Sequence, residues 1–325
     1  MTRPLTGTNS AGIAAEFVRA RTRAGSPAMG MVLTLVVVID EDAVDAALEA
    51  ARVASHEHPA RVLAVVLGSS RGAAQVDAEV TVGAGWGGEM ALIRLSGEVV
   101  RHPESVVLPL LLPDSPVVAW WPGKAPVDPA CDPLGRLAQR RITDASTASP
   151  GPSRALHVRC AAYAPGNTDL AWTRLTPWRG LLAAALDQHP HKVTGGAVVA
   201  ERGNPSADLL VAWLSSRLRV DIRRQTSDGP GLTEVVLETA KGPIRIARAD
   251  GTHAIFSSPG DPDRPTALKR REVPELLAEE LRRLDEDNVF AATARYLTKT
   301  TAKSAARRTV GSTRKNPPTK KGTKK

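Results

Sequence analysis

Three groups of residues in this sequence have types and spacing that could do chemistry. GAGWGG (83–88) sets Gly83, Gly85 and Gly88 at the intervals of a dinucleotide fingerprint, whose glycines let the backbone approach a pyrophosphate at a helix N-terminus. The segment that follows, EMALIRLS, reads as a strand, so the expectation here is a glycine-rich hairpin and no nucleotide cradle. HEH (His56, His58) and HPH (His189, His191) are metal-ligand types, but each pair sits beside a proline at an expected helix end, and no Cys or carboxylate cluster has zinc-like spacing. Solvated helix ends are expected, with no metal and no cofactor. No GxSxG elbow, P-loop, HExxH or kinase set occurs, so no catalytic residue is assigned and the chain is not read as an enzyme.

The third group is tryptophan with arginine. Six of the eleven aromatic residues are Trp, and four of these lie in WW (Trp120, Trp121) and WTRLTPW (Trp172, Trp178), beside Arg174 and Arg179. Trp and Arg are the side chains most enriched in interface hot spots, because each joins a large contact area to directed hydrogen bonds. Packing inside the chain, with the arginines in structural ion pairs, accounts for the same residues. On a strand, Trp120 and Trp121 point to opposite faces, so the ring that leaves the core needs a cover from a helix, a ligand or a partner. With Arg140, Arg141 and Asp144 of RRITD, and Asp169 ahead of the second motif, these residues are the partner-contact candidates. The alternative is a sugar-phosphate- or nucleotide-binding α/β enzyme that holds its anion through Arg140, Arg141 and Arg174.

The elements that must position these residues follow from hydrophobic period. SAGIAAEFVRARTRAG suggests a helix with Ser10 as cap, Ile13, Phe17 and Val18 apolar, and Gly25 at its end. GMVLTLVVVID and RVLAVVLG read as strands buried on both faces, around a helix capped by Asp40 with a stripe of Val44, Ala47, Leu48 and Ala51: a βαβ unit. VDAEVTVG, EMALIRLS, a helix near SVVLPLLL, and PVVAWWP extend it into a layered α/β domain. Past STASPGPSRA (146–155), Thr176 and Pro177 open a helix to about Asp187. TGGAVVA, VDIRRQTS, LTEVVLETA, GPIRIARAD and HAIFSS then supply an antiparallel sheet, and Leu276, Leu277, Leu281 and Leu284 form a closing helical face. The expected organisation is an N-terminal α/β domain (1–150), a C-terminal α+β domain (151–298) and a disordered basic tail (299–325).

Charge supports that last division. The chain has 43 Lys plus Arg against 34 Asp plus Glu, but ten of the basic residues lie in 299–325, which leaves 33 against 34 in the body. The surplus that suggests a nucleic-acid binder therefore belongs to the tail, which supports weak polyanion attraction at most. Two cysteines, Cys131 and Cys160, with no CxxC spacing and no disulfide framework, fit a reducing cytoplasmic compartment. No apolar run is long enough to span a membrane.

Four segments, LPLLLPDSPVVAWWPG (108–123), AQRRITDAS (138–146), DLAWTRLTPWR (169–179) and LLAEELRRLDEDNVF (276–290), are together similar to the glucose-6-phosphate dehydrogenase assembly proteins (OpcA) of actinobacteria and cyanobacteria. The resemblance runs in the same order along nearly the whole body and excludes the basic tail. It implies a protein that is not itself the dehydrogenase but binds it, promotes its active oligomer or activates it allosterically, and so controls entry into the oxidative pentose phosphate pathway.

Overall fold

The computed structural model describes residues 3–25, 30–83, 85–149, 151–248 and 250–313. After β1 (Arg3–Leu5) and α1 (Ser10–Ala24), the βαβ unit is present as β2 (Leu33–Ile39), α2 (Val44–Glu57) and β3 (Ala60–Leu67), with β2 and β3 parallel. The hairpin β4 (Gln75–Val82) and β5 (Glu89–Ser96) spans the glycine segment. Then come the short α3 (Pro103–Val107), β6 (Val117–Trp121), β7 (Arg140–Thr143), α4 (Pro152–Ala161) and β8 (Asn167–Asp169).

These strands form one sheet in the order β1-β4-β5-β3-β2-β6-β7-β8. It is parallel from β5 to β8 and antiparallel at the β1/β4/β5 edge. Chain order reverses between β2 and β6, the switch point of a doubly wound sheet. β8 lies beyond the domain boundary expected near residue 150, yet it is the last strand of this sheet.

The second sheet follows α5 (Leu170–Thr173) and α6 (Thr176–Gln188). It contains β9 (Val193–Ala200), β10 (Ile222–Thr226), β11 (Leu232–Thr239), β12 (Ile244–Ala247), β13 (His253–Ser257) and β14 (Arg264–Ala267), in the order β10-β9-β11-β12-β13-β14. α7 (Pro205–Leu218) connects β9 to β10, which are parallel, and every other pair is antiparallel as the period-two pattern implies. The mixed α/β class is therefore the expected one. β14 was not legible in its sequence, because RPTA offers four residues with a proline and no apolar alternation.

α8 (Val273–Leu281) and α9 (Asn288–Thr313) close the chain. α8 does not stay with the second sheet. Leu276, Leu277 and Leu281 pack with Ala47 and Ala51 of α2 on one face of the first sheet, while Ile13 and Phe17 of α1 and Val106 and Val107 of α3 cover the other. α9 continues past Thr298, where the lack of large apolar residues pointed to disorder. Phe290, Ala294 and Leu297 anchor its start in the second core, and an anchored helix propagates through alanine-rich sequence without a new nucleation step. Residues 314–325 of the expected tail lie outside the described residues.

Several local expectations are corrected by partners nearby. Asn9, not Ser10, caps α1 by accepting from the Gly12 amide (2.9 Å), and Ser10 donates instead to the Val106 carbonyl (2.9 Å). Val18 is exposed; the inner face of α1 includes Glu16, which Arg19 and Arg23 neutralise. Asp40 makes no cap bond because a 3-10 turn precedes α2. Thr176 is the first residue of α6 rather than its cap, and its hydroxyl donates to Glu279 (2.7 Å).

The paired tryptophans obey the strand alternation, and the chain itself covers both faces. Trp120 packs under α2 and α8 and is 0% exposed; Trp121 packs on the opposite side with α1 and α3 and is 2% exposed. Neither ring reaches a partner in this conformation. Truncating a large buried aromatic loses its transfer energy and leaves a cavity. Trp120→Ala and Trp121→Ala are each expected to lower unfolding stability by about 3–5 kcal/mol, seen as similarly depressed melting temperatures. A variant that melts with the wild type would place its indole outside the core.

Candidate functional site

The glycine segment is settled first by its backbone. It turns the β4–β5 hairpin over the end of α2, so close that a Cβ on Gly87 would lie 1.9 Å from the Ser55 carbonyl oxygen and one on Gly88 2.2 Å from that of Ala60. These glycines serve a close backbone approach, and no helix begins there. At the switch point, where a doubly wound sheet holds its ligand, the turn after β2 carries Asp40, Glu41 and Asp42. Asp40 is paired with Lys124 (3.6 Å) and Glu41 with Arg94 (3.0 Å) there, so the turn offers a phosphate no surplus of positive charge. The histidines also separate: His56 Nε2 lies 2.7 Å from the Gly85 carbonyl, His58 Nε2 3.0 Å from that of Ala278, and His189 Nε2 3.3 Å from Asp261. Among the described residues no cluster of three or more metal-ligand side chains occurs.

Of the arginines and aspartates expected as partner contacts, Arg140, Arg141, Asp144 and Asp169 are buried, whereas Arg174 and Arg179 are half-buried. Arg140 and Arg141 are neighbours on β7 and point to opposite faces of the sheet. Arg140 donates to Glu280 of α8 (2.7 Å) and to the Asp285 carbonyl (3.0 Å), and the second Glu280 oxygen accepts from Thr173 (2.6 Å). Arg141 donates to Asn167 Oδ1 (2.6 Å), the Ala138 carbonyl (2.6 Å) and the Pro165 carbonyl; burial pushes its guanidinium below its ordinary range. Neither is available to an external anion through those donors.

At the carboxyl ends of β7 and β8, two aspartates organise the loops. Asp144 receives both Arg174 guanidinium nitrogens at 2.8 Å and the Ser146 amide at 2.9 Å. Asp169 accepts from Thr143 (2.6 Å), Ala145 N (3.0 Å) and Ala171 N (2.9 Å), and so caps α5. Trp172 donates to Asp287 (2.8 Å), with the Arg179 guanidinium 3.8 Å from its ring centroid, and Trp178 lies under Arg248 at 5.1 Å. Trp172 and Trp178 are buried, whereas Arg174 and Arg179 are half-buried. The core reading of all four tryptophans is the one the geometry carries.

What the sequence reading missed is a cleft of about 280 Å³ beside this network. It lies between the first turns of α6 and α7 and the strand ends of the second sheet, with Arg174, Arg248, Arg270 and Arg271 on its wall and Trp178 and Leu232 at its apolar side. Glu201 is its one acidic lining residue. One signal was present: Arg248 follows Ile244 and Ile246 at period two, so it continues the inward side one residue past the end of β12, and it is buried. Cys160, also buried, has its thiol pushed up to about 12 by desolvation, and Cys131 is exposed; both are free.

Burial, and then the negative charge of Asp144, push Asp169 up to about 6 against the donors that favour its anion. The unfolded chain releases this proton near the ordinary carboxyl value of about 3.9. Between the two values the folded state binds more protons, so this group's contribution is most favourable below about 4 and declines as pH rises to about 6. Asn has no such proton. The stability gap between the wild type and Asp169→Asn is therefore expected to move toward the wild type as pH falls from about 6 to about 4 in denaturant titrations. A gap that is flat or moves the other way would mean that the donors hold the carboxylate ionised.

The chain matches two family models, which describe the two domains of a glucose-6-phosphate dehydrogenase subunit: the N-terminal domain over residues 51–161 and the C-terminal domain over 165–294. No curated protein sequence matches it. Among solved structures, one described as an oxidoreductase from Sinorhizobium meliloti has 11% identity over 89% of this chain and 91% of that one, with a TM-score of 0.39. Another, described as trehalose-6-phosphate from E. coli bound with UDP-2-fluoro glucose, has 13% identity over 60% and 65% of the two chains, with a TM-score of 0.25. Likeness this distant carries no argument about activity.

Proposed function

This chain belongs to the family of glucose-6-phosphate dehydrogenase assembly proteins, and we propose that it is a non-catalytic cytoplasmic partner that binds that dehydrogenase and favours its active oligomer. The observation that carries the reading is the pair of family matches, which in chain order take in most of both sheets and end within α9. The site geometry agrees with it. Among the described residues the glycine hairpin opens no helix and the turn at the switch point is acidic, which supports reading the chain as a partner of the dehydrogenase.

In this role the buried Trp and Arg residues fix the shape of the effector, and exposed residues make the contact. A binder that prefers one state of the dehydrogenase shifts its population only by the difference in affinity, and such couplings are typically about 1–3 kcal/mol. That suffices to change apparent substrate affinity several-fold and, through it, flux into the oxidative pentose phosphate pathway. Basic residues after 298 would add only weak, salt-sensitive attraction to polyanions. Among the described residues no helix is long and apolar enough to cross a membrane.

The expected result is that the chain co-elutes with the dehydrogenase of its own organism in size-exclusion chromatography, raises that enzyme's activity or oligomer size, and alone reduces no nicotinamide cofactor. Separate elution with unchanged kinetics and oligomer size would sink the proposal. Turnover by the chain free of dehydrogenase would replace it with an enzymatic one.

A further inference from the structure

We infer that the cleft between α6, α7 and the second sheet is a binding site for a phosphomonoester of a small hydroxyl-bearing metabolite. The inference begins with charge. Arg174 is neutralised by Asp144, Arg271 by Glu279 and Lys269 by Glu275. Arg248 and Arg270, on the same wall, have no carboxylate within ion-pair distance among the described residues. Their bonds go to neutral carbonyls: Arg248 to those of Leu268 and Leu232, each at 3.0 Å, and Arg270 to that of Pro230.

An unpaired guanidinium in the interior needs a reason. Arg248 is 6% exposed, and its Nε, like that of Arg270, is buried without an acceptor. Desolvation, with the positive charge of Arg270 second, pushes Arg248 down to about 10, so the two guanidiniums repel each other along the cleft wall. Packing also holds Arg270 in place: its guanidinium carbon would lie 3.2 Å from a Cβ on Gly251, whose φ of +82° independently favours glycine. Asp250 acts on Arg248 only as a smaller, longer-range charge and Trp178 only through its ring face, so two positive charges without an ion-pair partner sit side by side and match a dianion. A phosphomonoester carries close to two negative charges at neutral pH and presents three acceptor oxygens, which a single carboxylate does not.

The rest of the lining suits the ester's organic part. The first turns of α6 and α7, both full-length helices, border the cleft and add positive potential. Glu201 offers a hydroxyl acceptor, and Trp178 and Leu232 offer apolar contact. The volume of about 280 Å³ suits a sugar monophosphate and is small for a dinucleotide. This site is separate from the buried Arg140 and Arg141.

The test uses the full chain alone, titrated calorimetrically with glucose 6-phosphate, ribose 5-phosphate, inorganic phosphate and unphosphorylated glucose. Both esters are expected to bind, inorganic phosphate to compete with them, and glucose to give no heat. Arg270→Gln, at the half-buried edge, is expected to weaken ester binding about tenfold or more, the loss of a charge-assisted contact, with the unliganded melting temperature unchanged. As a readout that needs no variant, either ester is expected to slow phenylglyoxal modification of Arg270, followed by peptide mass spectrometry. No binding at millimolar ester, binding by glucose equal to its phosphate, wild-type affinity in Arg270→Gln, or unprotected Arg270 would each overturn the site. No dehydrogenase enters these measurements, so their failure leaves the assembly role standing, and loss of that role leaves the cleft to be judged on its own.

Discussion

The Arg140–Glu280 pair joins residues on β7 and α8 that are far apart in sequence, and it does so with both side chains almost fully buried. Isolated charges of this kind are costly to bury. Here the cost is offset by mutual attraction, by the Asp285 carbonyl and by the Thr173 hydroxyl, although Arg140 Nε is left buried without an acceptor. The pair leaves α8 little choice of position. With α8 held there, Leu276, Leu277 and Leu281 seal the face of the first sheet that carries Trp120, and Arg282 reaches Glu57 at the end of α2 (2.6 Å). Buried ion pairs often add little net stability compared with an apolar substitute, but breaking one partner is severe. Specifying where a late helix returns to an early sheet is a role that apolar contacts alone, being non-directional, fill poorly.

Beside that pair, the aspartates at the ends of β7 and β8 do a different job. Asp144 holds Arg174, and Asp169 holds the backbone amides of Ala145 and Ala171. The start of the α5–α6 segment is thereby fixed against the first sheet, while its tryptophans belong to the core of the second. Leu170 and Trp172, two residues apart, lie in different cores. The polar network is the seam between two hydrophobic cores, and the arginine-lined cleft opens next to it, with Arg174 common to both.

Much of this was legible because burial follows period. β2, β3 and β6 announced themselves as continuous apolar runs, β11 to β13 as alternations, and the hairpin as a glycine segment followed by a strand rather than a helix. The destination of α8 was not, since its leucine stripe states that one face is buried and not against what. The tryptophans and arginines stood out in the sequence with two readings open, partner contact or internal packing, because hot-spot composition and a buried polar seam use the same residue types. Only long-range partners distinguish the two: Arg140 with Glu280, Trp172 with Asp287, Arg174 with Asp144. The cleft was hidden for a related reason. Its two arginines without an ion-pair partner, Arg248 and Arg270, are far enough apart in sequence that no local spacing pairs them.

The four segments that carry the family resemblance meet at this seam. Val118 and Trp120 from the first, Ile142 from the second, Leu170 from the third and Leu276 and Leu277 from the fourth share one core cluster. In this chain those segments supply interior residues of the first sheet's core. A ligand in the adjoining cleft would act on the same segments, because Arg174 ties its wall to Asp144 and the first turn of α6 forms its border. The cleft wall and the polar seam thus share one residue, Arg174, so a charge placed in the cleft would be felt first at its pair with Asp144.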